Sequence, residues 1–361
     1  MSSSQPKSSK PADPAPKIDD AAHKNPELEA MIAANPRDRD SYLVYRDWLE
    51  SRGFTQGDRV TLGPLADCDD MLDELDWYHG FIRAARVRYT LDRFNGVRPN
   101  VSVEQALEWL LDDPGPGRFV QRLTVGLVLH DDNDYGGVCR VIGARPRPAL
   151  EELSLGDFGY EECELNWTSI SDASPLWASV PRLRKLWLRA GSMGLDGIDL
   201  PELRELETVT GGMPPQALAA IASADWPKLE RLHLQIGCGH QDAATDVALI
   251  EPLLAGTRFP ALTYLGLCNC EFTDELCERL AGSAILPRLR HLDLSMGTMS
   301  MAGVQALLRT PRAFAHLEGI CVDDNFLPDE AIPLLDSLGP PIEFGAQRED
   351  VDGYRYASAY E

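Results

Sequence analysis

The stretch "PALTYLGLCNCEF", residues 260–272, opens with a phrase that the chain uses repeatedly. The same template, Pro-x-Leu-x-x-Leu-x-Leu, occurs as "PALEELSL" at 148–155, "PRLRKLWL" at 181–188, "PELRELET" at 201–208 and "PKLERLHL" at 227–234. It returns as "PRLRHLDL" at 287–294 and, without its proline, as "AHLEGICV" at 315–322. Successive copies start 33, 20, 26, 33, 27 and 28 residues apart. Steps of that size mark an array in which each copy is one supersecondary unit stacked on its neighbours.

Alternation says what each unit is. In Leu-x-x-Leu-x-Leu the last two leucines point one way from a short strand and the residues between them point the other way. No single copy buries its leucines alone, so copies must stack to make a core. Apolar helical segments return the chain between strands: "SVEQALEWLLDD", "DVALIEPLLAG", "ELCERLAGS" and "GVQALLRT". Weaker copies begin at Phe81 ("FIRAARVRY") and Phe119 ("FVQRLTVGL"), and a half-copy, "PPIEFGAQRED", follows at 340. The template resembles the leucine-rich-repeat family. The resemblance implies an α/β fold: a solenoid, or horseshoe, over residues 77–345, with a parallel concave sheet of nine or ten strands and outer helices.

The stretch 264–280, "YLGLCNCEFTDELCERL", holds three cysteines and raises the question of a metal. It is similar to the ribonuclease-inhibitor-like repeat L-x-L-x-x-[N/C]-x-L-T-x-x-x-L. That resemblance gives Leu265 and Leu267 to the core and makes Cys270 the polar residue that satisfies backbone groups at the strand's end. Thr273 becomes a helix N-cap, with Leu276 and Leu280 facing inward. Asn325 and Gly297 hold the Cys270 position in later copies. Cys268 is expected on the concave face, Cys270 inside and Cys277 on the outer helix. Three diverging thiols do not make the tetrahedral set that zinc requires, and Cys238 with His240 has no supporting spacing. Neither metal nor cofactor is expected.

Both ends of an array need covers. Residues 1–24 are poor in large apolar side chains and read as a disordered tail. Residues 25–76 read as a helical N-terminal cap. Asn25 and Pro26 start one helix, with Leu28, Met31 and Ile32 on one face. Leu43, Trp48 and Leu49 mark a second, stopped at Gly53. "SYLVYRDWLESRG", followed by "GDRV" at 57–60, resembles the bacterial repeat-companion domain over roughly residues 27–60. It departs from that pattern at Gly63 and Pro64, and the family implies no known chemistry. The aromatic tail 346–361 is the expected C-terminal cap.

The net charge of −23, from 57 acids and 34 bases, disfavours nucleic acid and anionic membrane as partners. The N-terminus carries no apolar signal-peptide core, and no run approaches the length of a membrane span. A cytoplasmic protein with eight reduced cysteines, monomeric on its own, is therefore expected. "HDDNDYGG" at 130–137 fails the calcium-loop pattern, since the twelfth residue from Asp132 is Gly143. Phosphate-loop, nucleophile-elbow, zinc-protease and dinucleotide motifs are missing from the sequence, so no enzyme activity is expected.

What remains is the concave face. Trp187, His233, Tyr264 and His291 are large side chains at positions where burial is not expected, and Arg189 and Arg231 stand with Lys185, Arg86 and Arg122 on the same face. Trp, Tyr and Arg dominate interface energetics. The expectation is a non-enzymatic interaction scaffold whose site is Trp187, Arg189, Arg231, His233, Tyr264 and His291, binding a protein partner with acidic groups. Two alternatives stay open: an inhibitor or immunity-type protein that plugs an enzyme, and an accessory subunit presenting a substrate to a separate catalytic protein.

Overall fold

In the computed structural model, residues 24–53, 63–90, 101–112, 115–129, 132–350 and 354–357 are described. The tail expected over residues 1–24, apart from Lys24, and the "GDRV" portion of the companion resemblance lie outside them. Among the described residues the body is a sheet of 11 strands. In chain order these are β1 (Leu72–Tyr78), β2 (Phe81–Val87), β3 (Arg122–Val125), β4 (Glu152–Leu155), β5 (Lys185–Arg189) and β6 (Glu205–Val209). They continue as β7 (Arg231–Gly237), β8 (Tyr264–Cys270), β9 (His291–Asp293), β10 (Gly319–Cys321) and β11 (Ile342–Glu343). Each strand pairs with its neighbours in chain order, and every pairing from β2 onward is parallel.

The leucines set this register. Leu123, Leu153, Leu186, Leu206, Leu232, Leu265, Leu292 and Ile320 stand directly opposite one another, one per strand. All are at most 2% exposed and belong to one continuous core. A one-residue slip would turn a strand's leucines to the wrong face, so burial locks the alignment. The return segments lie behind the sheet as helices at Val103–Leu111, Gly136–Gly143, Pro215–Ser223, Thr273–Leu280 and Met301–Leu308, with shorter turns between. Among the described residues no helix is long and apolar enough to cross a membrane.

The turn out of the strand also repeats. Asn269, Met296 and Asp324 occupy equivalent positions, and each has positive φ (50°, 61° and 53°). The next residue in each copy is Cys270, Gly297 or Asn325. Asn325 Oδ1 accepts from the Met299 amide at 2.9 Å while its Nδ2 donates to the carbonyls of Leu294 and Val322. Gly297 fits because a Cβ there would stand 2.3 Å from the Thr273 hydroxyl. Thr273 is not the N-cap: the helix begins at Thr273, and its hydroxyl donates back to the Cys270 carbonyl at 2.6 Å.

Three expectations about the ends need correction. Residues 72–76, placed in the helical cap, belong to β1, which pairs antiparallel with β2 and forms an edge of the sheet. Its acidic sequence lacks the leucine template. A tight turn at His79–Gly80, both at positive φ as a type I′ hairpin turn requires, folds it back. The helical hairpin, α1 (Pro26–Ala34) and α2 (Arg39–Ser51), lies along the N-terminal ends of the strands instead of over the first repeat. It packs on Phe81, Phe119 and Ala149, the residues at one equivalent position of three successive copies, and Arg182 at the fourth donates to the Ala34 carbonyl. Its buried face is Ile32, Tyr42, Tyr45 and Leu49, while Met31 is 49% exposed. The C-terminal tail mirrors this on the opposite side. Arg348 donates to the carbonyls of Asp324 and Gly297, Arg355 to that of Thr298, and Tyr354 meets His240 at 3.3 Å.

Phe119 makes edge-on contacts with Tyr42, Tyr45 and Phe81. Phe119→Ala should destabilise the chain by about 3–5 kcal/mol, read as a lower urea midpoint. In the second leucine column Thr208 is 0% exposed and its hydroxyl has no hydrogen-bond partner among the described residues. Thr208→Val should therefore raise stability, by about 1 kcal/mol, because a buried unpaired hydroxyl is unfavourable. A fall in melting temperature would contradict that reading.

Candidate functional site: the open face of the sheet

The residues between the core leucines line the face of the sheet away from the helices, and strand register arranges them in two rows. The first row runs Arg122, Glu152, Lys185, Glu205, Arg231, Tyr264, His291. The second runs Ser154, Trp187, Glu207, His233, Gly266, Asp293, Cys321. His233 and His291 thus belong to different rows.

Four of the six expected site residues come together on β7 to β9. The Arg231 guanidinium lies over the Tyr264 ring, 3.5 Å from its centroid, and the Tyr264 ring is 6.3 Å from His233 and 6.2 Å from His291. Tyr264 donates its hydroxyl to Asp293 Oδ2 at 2.8 Å. Burial and the neighbouring Asp293 carboxylate push the Tyr264 hydroxyl pKa upward. Trp187 is half-buried and borders a hollow of about 260 Å³ shared with Glu152, Glu205, Glu207 and Arg231. Arg189 is turned away from the others. Its Nη1 donates to the Phe158 carbonyl at 2.6 Å, and its guanidinium sits 4.6 Å from that residue's ring centroid. Burial lowers its pKa.

Part of the positive charge expected on this face is engaged within the chain. Lys185 Nζ is 2.9 Å from Glu205. Arg86 reaches Asp157 and Asp73, and Arg189 is held by Phe158. Charges along the first row alternate in sign from Arg122 to Arg231, so cross-strand neighbours neutralise each other. Lys185→Ala should change stability by less than about 1 kcal/mol, since the pair is exposed; urea denaturation measures it.

One constellation has no counterpart among the sequence expectations. His233 Nε2 lies 3.4 Å from Cys268 Sγ and 3.7 Å from Asp293 Oδ2. Cys268 is fully buried beneath it, with Ser295 Oγ at 3.6 Å, so it is not displayed on the face as expected. His233 and Asp293 side chains are 12% and 15% exposed. Burial lowers the His233 pKa, against the opposing pull of Asp293, and pushes the Cys268 thiol well up. Burial also raises Asp293, but hydrogen bonds from Ser295 and Tyr264 outweigh it and hold the carboxylate below its ordinary range. The available signal was Gly266, a glycine where the other central strands carry large side chains. A Cβ there would stand 2.5 Å from His233 Cδ2. The imidazole lies across β8 because nothing projects from Gly266.

Elsewhere, Cys270 and Cys277 sit in the core, apart from Cys268. In the acidic loop that fails the calcium pattern, His130 and Asp131 lie outside the described residues. Asn133 accepts from the amides of Val128 and Leu129, and Asp134 from Gly136 and Ser171.

A parallel sheet with one strand per leucine-bearing copy and return helices behind it is a fold of the leucine-rich-repeat type. No family model matches the chain, and no curated protein does. Among solved structures it is similar to a protein of Bacteroides fragilis, at 26% identity and a TM-score of 0.63, over 73% of this chain and 74% of that one. It is also matched by an internalin of Listeria monocytogenes, at 16% identity and a TM-score of 0.38 over 63% and 55% of the two chains. Human 5T4 matches at 19% identity and a TM-score of 0.31, over 72% and 74%.

Proposed function

We propose that this chain is a non-enzymatic scaffold that binds a protein partner on the open face of its sheet. On this reading the array curves as a horseshoe with ribonuclease-inhibitor-like repeats, the open face is concave, and the hairpin is a repeat-companion segment. The protein works in the cytoplasm, a reducing compartment in which cysteines persist as thiols. The observation that carries the proposal is the placement of Trp187, Arg231, Tyr264 and His291. These side chains remain half-buried or exposed on a face whose leucines already form the core. The hollow beside Trp187 gives a partner side chain a place to insert, and Arg231 stacked on Tyr264 forms a rigid wall for it. Pre-formed aromatic and arginine anchors around a depression are the usual composition of interface hot spots.

Affinity purification from the native cell, with identification of captured proteins by mass spectrometry, tests this. The Trp187→Ala/Tyr264→Ala chain should keep its cooperative melt and lose the specific partner. A hot-spot truncation of about 2 kcal/mol weakens binding on the order of 30-fold per residue. Equal capture by the wild-type and doubly substituted chains would refute binding through this face.

A further inference from the structure

Three donor atoms of metal-ligating type meet just beneath the open face: His233 Nε2, Cys268 Sγ and a carboxylate oxygen of Asp293, all within 4.8 Å of one another. They come from three consecutive strands, β7, β8 and β9, whose register is fixed by the leucine columns beneath. A tetrahedral zinc ion with Zn–S of about 2.3 Å and Zn–N of about 2.0 Å holds its sulfur and nitrogen about 3.6 Å apart. The observed separation is 3.4 Å. The hydrogen bond from Tyr264 to Asp293 orients the carboxylate from outside the cluster, as outer-shell partners of metal ligands do.

A nucleophilic site and a plain polar network both fit this cluster less well. A cysteine nucleophile activated by histidine must be reachable by substrate, and Cys268 is 0% exposed. A simple polar network joins His233 Nε2 to Cys268 Sγ at 3.4 Å and Cys268 Sγ to the Asp293 carbonyl at 3.7 Å. It leaves Nε2 and Asp293 Oδ2 3.7 Å apart, beyond hydrogen-bonding distance. Cysteine sulfur, imidazole nitrogen and one carboxylate oxygen are together a set suited to a borderline divalent ion, and unsuited to calcium or magnesium.

We propose that His233, Cys268 and Asp293 bind one transition-metal ion of the zinc type, with a fourth coordination position toward the open face. Binding replaces the thiol proton: Cys–SH and the divalent ion give the metal thiolate and one proton released to solvent. Gly266 is the enabling residue, because any side chain there displaces the imidazole. The site does not depend on the protein-binding reading, since the isolated chain is sufficient to test it.

The test is titration of the reduced, chelator-treated full chain with Co²⁺, followed by absorption. One equivalent should bind, with a sulfur-to-cobalt charge-transfer band that Zn²⁺ abolishes by displacement. Cys268→Ser should lose that band. His233→Ala and Asp293→Asn should each weaken binding roughly tenfold or more, no less than loss of an outer-shell partner does. Gly266→Ala keeps all three ligands and should also weaken it. Cys238→Ser removes a half-buried thiol outside the cluster and should change nothing. Zn²⁺ should raise the melting temperature of the wild-type chain and not of His233→Ala. A wild-type chain with no thiolate band and no zinc-dependent melting shift overturns the proposal. So does a band that persists in Cys268→Ser or vanishes in Cys238→Ser. If Cys268→Ser does not fold, the His233→Ala and Gly266→Ala titrations decide the matter alone.

Discussion

A leucine pair on a four-residue strand has nothing within its own repeat to bury against. Each copy of the template reaches a dry environment only when the strands before and after it present their leucines at the same height. Burying one such side chain contributes about 1.5–3 kcal/mol, and a slip of one residue would forfeit it for a whole strand. The column from Leu123 to Ile320 is that condition met across eight strands. Everything else in the molecule is arranged around it.

Once the leucines are aligned, the residues between them are aligned too, on the other face. Side chains about thirty positions apart in sequence become neighbours across a strand spacing. Arg231 meets Tyr264, Tyr264 reaches Asp293, and His233 lies over Gly266 toward Cys268. The strand register fixes the spacing of these groups. The same logic governs the flanks. The hairpin docks where two copies carry Phe81 and Phe119 at a position that later copies fill with Glu202, Lys228 or Arg288. Its buried tyrosines match that apolar strip and nothing further along the array.

The strands were legible because the template repeats: seven copies, the two weaker ones and the half-copy all become strands. The edge strand β1 was not, because an antiparallel strand at the margin carries no leucine pair to be counted. The tyrosines Tyr42 and Tyr45, buried in place of Leu43 and Trp48, were hidden by their mixed character. The candidate site was legible as a set of large side chains on one face, but not as a geometry. Cys268 invites comparison with the cysteines of its own stretch, whereas its partners His233 and Asp293 lie one repeat to either side. Likewise, the bases on the face were visible one by one: Lys185 pairs with Glu205 on the adjacent strand, while Arg86 reaches Asp157, which lies beyond β4 and far from it in sequence.

Every row on the open face inherits its alignment from the strand register, and a pair of engineered disulfides measures that register directly. Lys185 and Glu205 face each other on β5 and β6, both on the open face. Parallel neighbours are about 4.8 Å apart, within the Cα range that a disulfide spans, whereas residues offset by two positions are about 8 Å apart and outside it. In a chain with the half-buried Cys238 and Cys321 replaced by serine, Lys185→Cys/Glu205→Cys should oxidise to an intrachain disulfide visible by peptide mapping. Lys185→Cys/Glu207→Cys should stay reduced under the same conditions. Crosslinking of the offset pair in preference to the aligned one would show that the rows, and every site built from them, are wrong.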